Sequence, residues 1–284
     1  MLSAQTHTIT PELAGRYAAH LQEQEKAPAT VAAYVRALTA LLAFLPDGAV
    51  TKAALIRWKE SLTGRYAAAT VNLNLAAANG FFAFCGWGEL KIKPMKIQRD
   101  LFRAEETELT RAEYVRLVRA AEGGGNRRLS LVLQTICATG IRVSELKFIT
   151  VEAVKAGRAE VNNKGKRRIV FLPDKLRRAL AKYAKQSGRT AGPVFVTRTG
   201  GPLDRSNIWR DMKALCESAG VAPGKVFPHN LRHLFARTYY TLEKDLSRLA
   251  DILGHTSVNT TRIYTIESGT VHAKQIGRLG LVMT

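Results

Sequence analysis

Pro228-His229-Asn230-Leu231-Arg232-His233 lies in the last quarter of this 284-residue chain and anchors the argument about its second half. Proline suits the first position of a helix, because its backbone angle is preset for that position and its missing N–H is not needed there. His229 and Arg232 stand three residues apart, a spacing that puts two side chains on one helical face. The stretch therefore predicts a cationic, hydrogen-bonding pair.

Two shorter blocks follow, Leu253-Gly254-His255 and Thr260-Thr261-Arg262-Ile263-Tyr264. Gly254 suits the end of one helix, and Ser257 can cap the start of the next. Such a turn would return His255 and Tyr264 to the same cleft, although nine residues separate them. We therefore expect a phenol beside imidazole and guanidinium groups.

Two blocks upstream add further cations. Ala138-Thr139-Gly140-Ile141-Arg142-Val143-Ser144-Glu145-Leu146 places Arg142 just after a glycine turn, and Glu145 three residues later is expected to orient its guanidinium. Asn162-Asn163-Lys164-Gly165-Lys166 separates two strand-like runs, Arg158 to Val161 and Arg167 to Leu172. Asn and Gly residues between such runs are typical of a hairpin.

In this order the blocks resemble the tyrosine recombinases, the integrase and Xer family of DNA strand-exchange enzymes. That family shows TGxRxSEL, a lysine hairpin, HxLRH and LGHxxxxTTxxY, and all four blocks are present between roughly residues 107 and 267. The resemblance implies six catalytic residues, with Tyr264 as the nucleophile: Arg142, Lys164, His229, Arg232, His255 and Tyr264. The hairpin is one residue shorter than the family's KGxKxR, so Lys164 is preferred and Lys166 stays the alternative.

Cleavage of a phosphodiester without a metal needs a nucleophile, neutralisation of the non-bridging oxygens, and a proton for the leaving oxygen. The resemblance implies a 3′-phosphotyrosyl intermediate and a Holliday junction, with no metal or nucleotide cofactor. Two alternatives remain: a type IB topoisomerase using the same tyrosine chemistry, and a DNA-binding relative without catalysis. A site-specific recombinase is favoured, because all six positions are filled and the two halves have the sizes of a Xer-like enzyme.

The composition agrees with a polyanionic partner. The chain holds 43 Lys and Arg against 23 Asp and Glu, a formal net charge of +20, and residues 101–284 hold +16 of it. Such an excess points to nucleic acid. We find no Cys/His spacing that suits zinc, no apolar run long enough for a membrane span and no signal peptide, so we expect a cytoplasmic, nucleoid-associated protein.

The first half predicts four helices within 90 residues, and the whole chain is predicted as mainly α with a small β-sheet. The resemblance implies a C-shaped DNA clamp of three parts: a helical, SAM-like core-binding domain at 1–90, a basic linker at 91–106, and a mixed α+β catalytic domain at 107–284. The residues predicted to bind DNA are Lys93, Lys96, Arg99, Arg103, Lys166 and Arg237. His233 and Arg237 are expected to turn away from the face of His229 and Arg232, with His233 structural.

The implied partners are double-stranded recombination sites with inverted half-sites, on which the protein assembles as a tetrameric synapse. Ile276, Leu279 and Leu281 form an apolar cluster in the tail 268–284, beyond the last catalytic residue. The family often docks this segment on the neighbouring protomer. We therefore expect the tail to be an intersubunit element.

Overall fold

The computed structural model describes residues 7–45, 47–97, 107–163, 166–197, 199–264 and 277–279, with the backbone alone at 163 and 166. The chain divides into two compact units, Met1–Arg99 and Asp100–Thr284. Among the described residues, no helix is long and apolar enough to cross a membrane.

The first unit is built from four helices: α1 (Pro11–Glu23), α2 (Pro28–Phe44), α3 (Lys52–Thr63) and α4 (Ala68–Phe84). Thr10 and Thr51 cap α1 and α3 through their hydroxyls, and Pro11 and Pro28 begin α1 and α2. Buried apolar residues from all four helices form one core. A short antiparallel pair, β1 (His7–Thr8) with β2 (Ala49–Val50), was not predicted from the sequence.

The chain after α4 is held to the first unit by two asparagines. The side chain of Asn79 bonds both backbone groups of Ile92, each at 2.8 Å. Asn72 bonds the backbone of Met95 in the same way, at 2.9 and 2.7 Å. The first residues of the predicted linker therefore lie along α4 in an ordered, extended conformation.

The second unit is larger. Its elements are α5 (Arg111–Gly123), α6 (Arg127–Thr139), α7 (Val151–Ala156), β3 (Arg158–Asn163), β4 (Lys166–Phe171), α8 (Asp174–Gln186), α9 (Arg205–Ala214), α10 (Cys216–Ala219), α11 (Pro228–Glu243), α12 (Leu246–Leu253) and α13 (Val258–Thr261). With the four helices of the first unit, these elements confirm a mainly α chain with small two-stranded sheets.

Helix α6 lies at the centre of the second unit and packs against α5, α8, α9 and α11. The five consecutive residues from Leu129 to Leu133 are all buried, so this part of the helix is covered on every side, as expected for a core helix. It ends at Gly140, whose φ of 64° lies in the left-handed region. A Cβ at Gly140 would lie 2.5 Å from Phe235, so α6 and α11 approach closely here.

The predicted hairpin is present. Strands β3 and β4 pair antiparallel from Arg158 opposite Phe171 to Asn163 opposite Lys166, so the connection is residues 164–165. The sequence also predicts a short strand from Val194 to Thr197, and this prediction is wrong. Isolated bridges form there instead, Thr150 with Pro193 and Val196 with Pro202, because a proline has no N–H with which to continue a ladder.

Candidate active site

The guanidinium of Arg232 is the most buried cation of the site. The residue is 1% exposed. Its Nη1 donates to the carbonyl of Gly140, and its Nη2 donates to that of Leu253 at 2.7 Å. These carbonyls lie at the C-terminal ends of α6 and α12, where helix dipoles favour a positive charge. Burial, and then the charge of Arg142, lower the pKa of Arg232 to about 10, so it stays charged at neutral pH.

His255 is held in one tautomer by two neighbours. Its Nε2 lies 3.0 Å from Nη2 of Arg232, and its Nδ1 lies 2.9 Å from Oγ1 of the buried Thr261. A guanidinium can only donate, so Nε2 accepts and the proton is on Nδ1. Burial, and then the charges of Arg232 and Arg142, lower the pKa of His255 to about 4. At neutral pH His255 is therefore a neutral acceptor.

Tyr264 completes this group and is 3% exposed. Its ring stacks on that of His255 with centroids 5.8 Å apart, and its phenol lies close enough to Arg232 to raise the pKa of that guanidinium, against the lowering by burial. The turn that achieves this follows the predicted signals. Gly254 ends α12 with a φ of 65°, and the Ser257 hydroxyl accepts from the N–H of Asn259 at 3.2 Å. The structure thus brings together Arg232, His255 and Tyr264.

His233 also belongs to this group, and the expectation that it turns away from the face of His229 is wrong. Residues four apart on a helix share a face, and the His233 ring lies 4.5 Å from that of His229 and 4.6 Å from that of Tyr264, centroid to centroid. Its edge-to-face contact with Tyr264 orients the phenol ring. Helical spacing alone was enough to predict this neighbourhood.

Arg142 is presented by the turn after α6. It precedes a 3₁₀ turn, Val143–Phe148, in which Glu145 is buried. Glu145 accepts a bond of 2.8 Å from the backbone N–H of Arg142 and one of 3.0 Å from its Nη1. The expected orienting role of Glu145 therefore agrees with the geometry, and about a third of the Arg142 side chain stays exposed.

Arg168 is a further member that the sequence reasoning did not assign. Its Nη1 and Nη2 donate to Oε1 and Oε2 of Glu145 at 3.0 and 2.7 Å. Burial alone would raise the pKa of Glu145, but the bonds from Arg168 and Arg142 lower it to about 2. The available signal was that Arg168 stands two positions after Lys166, where the family's KGxKxR has its arginine.

Arg142, His229 and Arg232 line one cleft of about 430 Å³. A cleft with two guanidinium groups and an imidazole suits a phosphate group. The same cleft is also lined by Arg205 and by Trp209, which is 50% exposed. Neither residue was singled out from the sequence.

The remaining predicted residues are placed less completely. Lys164, Arg99 and Arg103 lie outside the described residues, and for Lys166 the structure describes the backbone at the start of β4. Lys93 and Lys96 are exposed on the extended segment after α4. Arg237 instead bonds Glu108 and, at 2.7 Å, the carbonyl of Leu109. A contact of Arg237 with DNA stays a prediction.

The part of the chain that the structure describes contains no group of three or more His, Cys, Asp or Glu side chains arranged to hold an ion. The described donors of the cleft are guanidinium and imidazole groups. Guanidinium groups repel a cation and bind an anion.

Two family models match the chain. The phage integrase family matches residues 107–269, and the phage integrase N-terminal SAM-like domain matches residues 14–88. Tyrosine recombinase XerC of Roseiflexus castenholzii is 33% identical over 219 residues, which are 71% of this chain and 69% of the relative. Tyrosine recombinase XerD of Xanthomonas campestris is 30% identical over 247 residues, which are 77% and 75%.

Solved structures share the fold. A lambda integrase dimer bound to a COC′ core site has a TM-score of 0.74 at 19% identity, over 92% of this chain and 77% of that one. XerA recombinase has a TM-score of 0.53 at 24% identity, over 96% and 99%. The class is that of the tyrosine-type site-specific recombinases, as the motifs predicted. The chain belongs to the phage integrase family.

Proposed function

We propose that this chain cuts and rejoins DNA at specific sites, with Tyr264 forming a 3′-phosphotyrosyl bond. The observation that carries the proposal is the contact group of Arg232, His255 and Tyr264, in which Arg232 bonds His255 and the Tyr264 ring stacks on His255, beside a cleft that Arg142 and Arg232 share. The relatives named above are recombinases, and nothing in the comparisons favours a topoisomerase.

In the proposed reaction the scissile phosphate occupies the cleft. Arg142 and Arg232 bind its non-bridging oxygens, where negative charge grows in the transition state. The Tyr264 oxygen attacks phosphorus while its proton passes to an imidazole of the site or to water, and the bond from phosphorus to the 5′ oxygen breaks. That oxygen takes a proton from Lys164, or from Lys166 in the alternative alignment. His229 adds a hydrogen bond to the phosphate.

The His255 imidazole has a separate part in this proposal. Its Nε2 already accepts from Arg232, and its Nδ1–H is directed to Thr261. It therefore keeps the Arg232 guanidinium in place while the phosphate binds. The neutral ring adds no further charge beside the arginines, so the cationic character of the cleft comes from groups that carry their charge at all working pH values.

Rejoining reverses these steps with a different strand. A 5′ hydroxyl from the partner duplex attacks the phosphotyrosyl bond, Tyr264 leaves, and two such rounds pass through a Holliday junction. We propose a tetramer on two sites with inverted half-sites, which would act in the nucleoid within the cytoplasm. A lambda integrase tetramer bound to a Holliday junction is among the structures with this fold, at a TM-score of 0.73.

The domain plan 1–90, 91–106 and 107–284 is part of the proposal. Its support is the SAM-like match at residues 14–88 and the integrase match from residue 107. Exposed Lys93 and Lys96, with Arg99 and Arg103 further along the linker, would contact phosphates of the duplex. The tail 268–284 would dock on a neighbouring protomer, and Leu279 is exposed.

The proposal is tested by strand exchange in EDTA. Duplexes that the protein itself enriches from a random pool provide the sites, and one of two site-bearing duplexes carries a label. A recombinase yields labelled products of new length. Relaxation of supercoiled DNA without any exchanged product would support the topoisomerase alternative, and binding without either would support a non-catalytic protein.

A further inference from the structure

The Glu145 carboxylate accepts hydrogen bonds from two arginines, Arg142 and Arg168, whose contacts with it differ. Oε1 accepts from Nη1 of Arg142 and from Nη1 of Arg168, both at 3.0 Å. Oε2 accepts from Nη2 of Arg168 at 2.7 Å and from the backbone N–H of Arg142 at 2.8 Å. Arg168 thus has the two-pronged pairing that matches a guanidinium to a carboxylate. The side chain of Arg142 donates through Nη1 alone in this cluster.

This division matters because Arg142 lines the cleft and Arg168 does not. Glu145 is 1% exposed, and its pKa of about 2 keeps it ionised at neutral pH. A buried carboxylate attracts the nearest cation strongly, since little water screens it. With Arg168 absent, Arg142 would be the remaining described cation bonded to Glu145, and its fork would be free to turn onto the carboxylate.

We propose that Arg168 is a positioning residue: by occupying Glu145 with both of its terminal nitrogens, it keeps the other edge and the charge of Arg142 available to the scissile phosphate. The inference rests on the proposed function, because it assigns Arg142 to that phosphate. Two guanidinium groups share one carboxylate, so the cluster retains a net positive charge beside the cleft.

The packing around Arg168 explains how it holds this place. Its side chain is 13% exposed, against 75% for its neighbour Arg167. Gly254 lies directly on it, and a Cβ at Gly254 would be 2.8 Å from Cδ of Arg168. The glycine before His255 therefore leaves room for Arg168 as well as ending α12.

The test measures single-turnover formation of the covalent adduct on a nicked duplex, with DNA affinity measured separately. Four variants are compared: Arg168→Ala, Glu145→Gln, the double variant, and Arg167→Ala as the exposed control. We expect Arg168→Ala to slow adduct formation by about 100-fold, as for loss of one preorganised donor, with affinity within about threefold, because one contact among many phosphate contacts changes.

The double variant gives the decisive comparison. Glutamine still accepts from the backbone N–H of Arg142 but carries no charge to draw in its side chain. Adding Glu145→Gln to Arg168→Ala should therefore recover about tenfold or more of the lost rate, as expected for two residues that interact rather than act independently. If Arg168 had a merely structural role, the rate losses of Arg168→Ala and Glu145→Gln would instead combine in the double variant.

Two results would overturn the inference: an Arg168→Ala rate equal to wild type, or a double variant as slow as Arg168→Ala or slower while circular dichroism shows both folded. Where Arg168→Ala does not fold, Arg168→Lys replaces it, since lysine keeps the charge but not the fork. It should be slower than wild type and should also gain from Glu145→Gln. A wild-type protein that forms no adduct would instead contradict the proposed function.

Discussion

Nη2 of Arg232 lies 3.0 Å from Nε2 of His255, with the guanidinium as donor and the imidazole as acceptor. This bond exists while His255 is neutral. Protonation would leave two donors facing each other beside the charges of Arg142 and Arg168. The site therefore contains His255 as an uncharged imidazole. The free energy of unfolding of the protein should depend on pH through this residue.

The sign follows from the pKa of His255, lowered to about 4 in the folded protein from 6.5. Between these values the unfolded chain binds more protons, so the free energy of unfolding rises with pH. The stability linked to His255 should be fully present above about pH 6.5 and decline as pH falls towards 4. The melting temperature of wild type should therefore fall relative to that of His255→Gln as pH drops from 7 to 4.5, and parallel curves over this range would contradict this.

Gly140 should be far less tolerant of a side chain than Gly188, although both have a left-handed φ, 64° and 65°. A Cβ at Gly188 meets nothing within 4 Å, whereas one at Gly140 would lie 2.5 Å from Phe235. We expect Gly188→Ala to lose about 1 kcal/mol of unfolding free energy from backbone strain. Gly140→Ala should lose about 1–3 kcal/mol more from overpacking. Chemical denaturation measures both, and equal losses would show that α11 does not press on this turn.

Arg142→Ala should impair chemistry far more than binding. We expect adduct formation to fall by about 100-fold or more, because the guanidinium acts on charge that develops during the reaction. Affinity should change by less than about tenfold, because phosphate contacts elsewhere carry most of it. Arg167→Ala, an exposed arginine whose pair with Glu160 is 3.7 Å long, provides the control. Equal losses of binding and cleavage in Arg142→Ala would mean that Arg142 merely holds DNA.

Lys164, rather than Lys166, should protonate the leaving 5′ oxygen. In a substrate in which sulfur replaces that bridging oxygen, the 5′ sulfur departs as a thiolate and needs no proton. This substrate should therefore restore cleavage by Lys164→Ala. It should not restore cleavage to Arg142→Ala, whose defect lies at the non-bridging oxygens. Restoration of Lys166→Ala instead would shift the hairpin alignment by two residues.

The elements that local signals specify were predictable. Thr110 and Glu113, whose spacing in the sequence is typical of a capping box, form one at the start of α5, and Gly220 ends α10 in the left-handed conformation. The hairpin β3–β4 follows the Asn and Gly residues at its turn. These features depend on residues a few positions apart, which a sequence shows directly.

The features that the sequence did not predict, or predicted wrongly, have different causes. Arg168 stands 23 residues from Glu145, so their pairing depends on how β4 packs against the 3₁₀ turn, which periodicity does not reveal. The strand expected at residues 194–197 does not form, because Val196 bridges to Pro202 and a proline has no N–H with which to continue a ladder. His233 was misjudged although its four-residue spacing from His229 already placed both on one face.

The most direct test of the account is the chemical identity of the trapped link. A nicked duplex is incubated with protein in EDTA, the adduct is digested, and mass spectrometry locates the nucleotide. Tyr66→Phe, which changes an exposed tyrosine of the first unit, should form the adduct normally, and Tyr264→Phe should form none. The account predicts a 3′-phosphonucleotide on Tyr264, and a link to another residue, or through a 5′ phosphate, would contradict it.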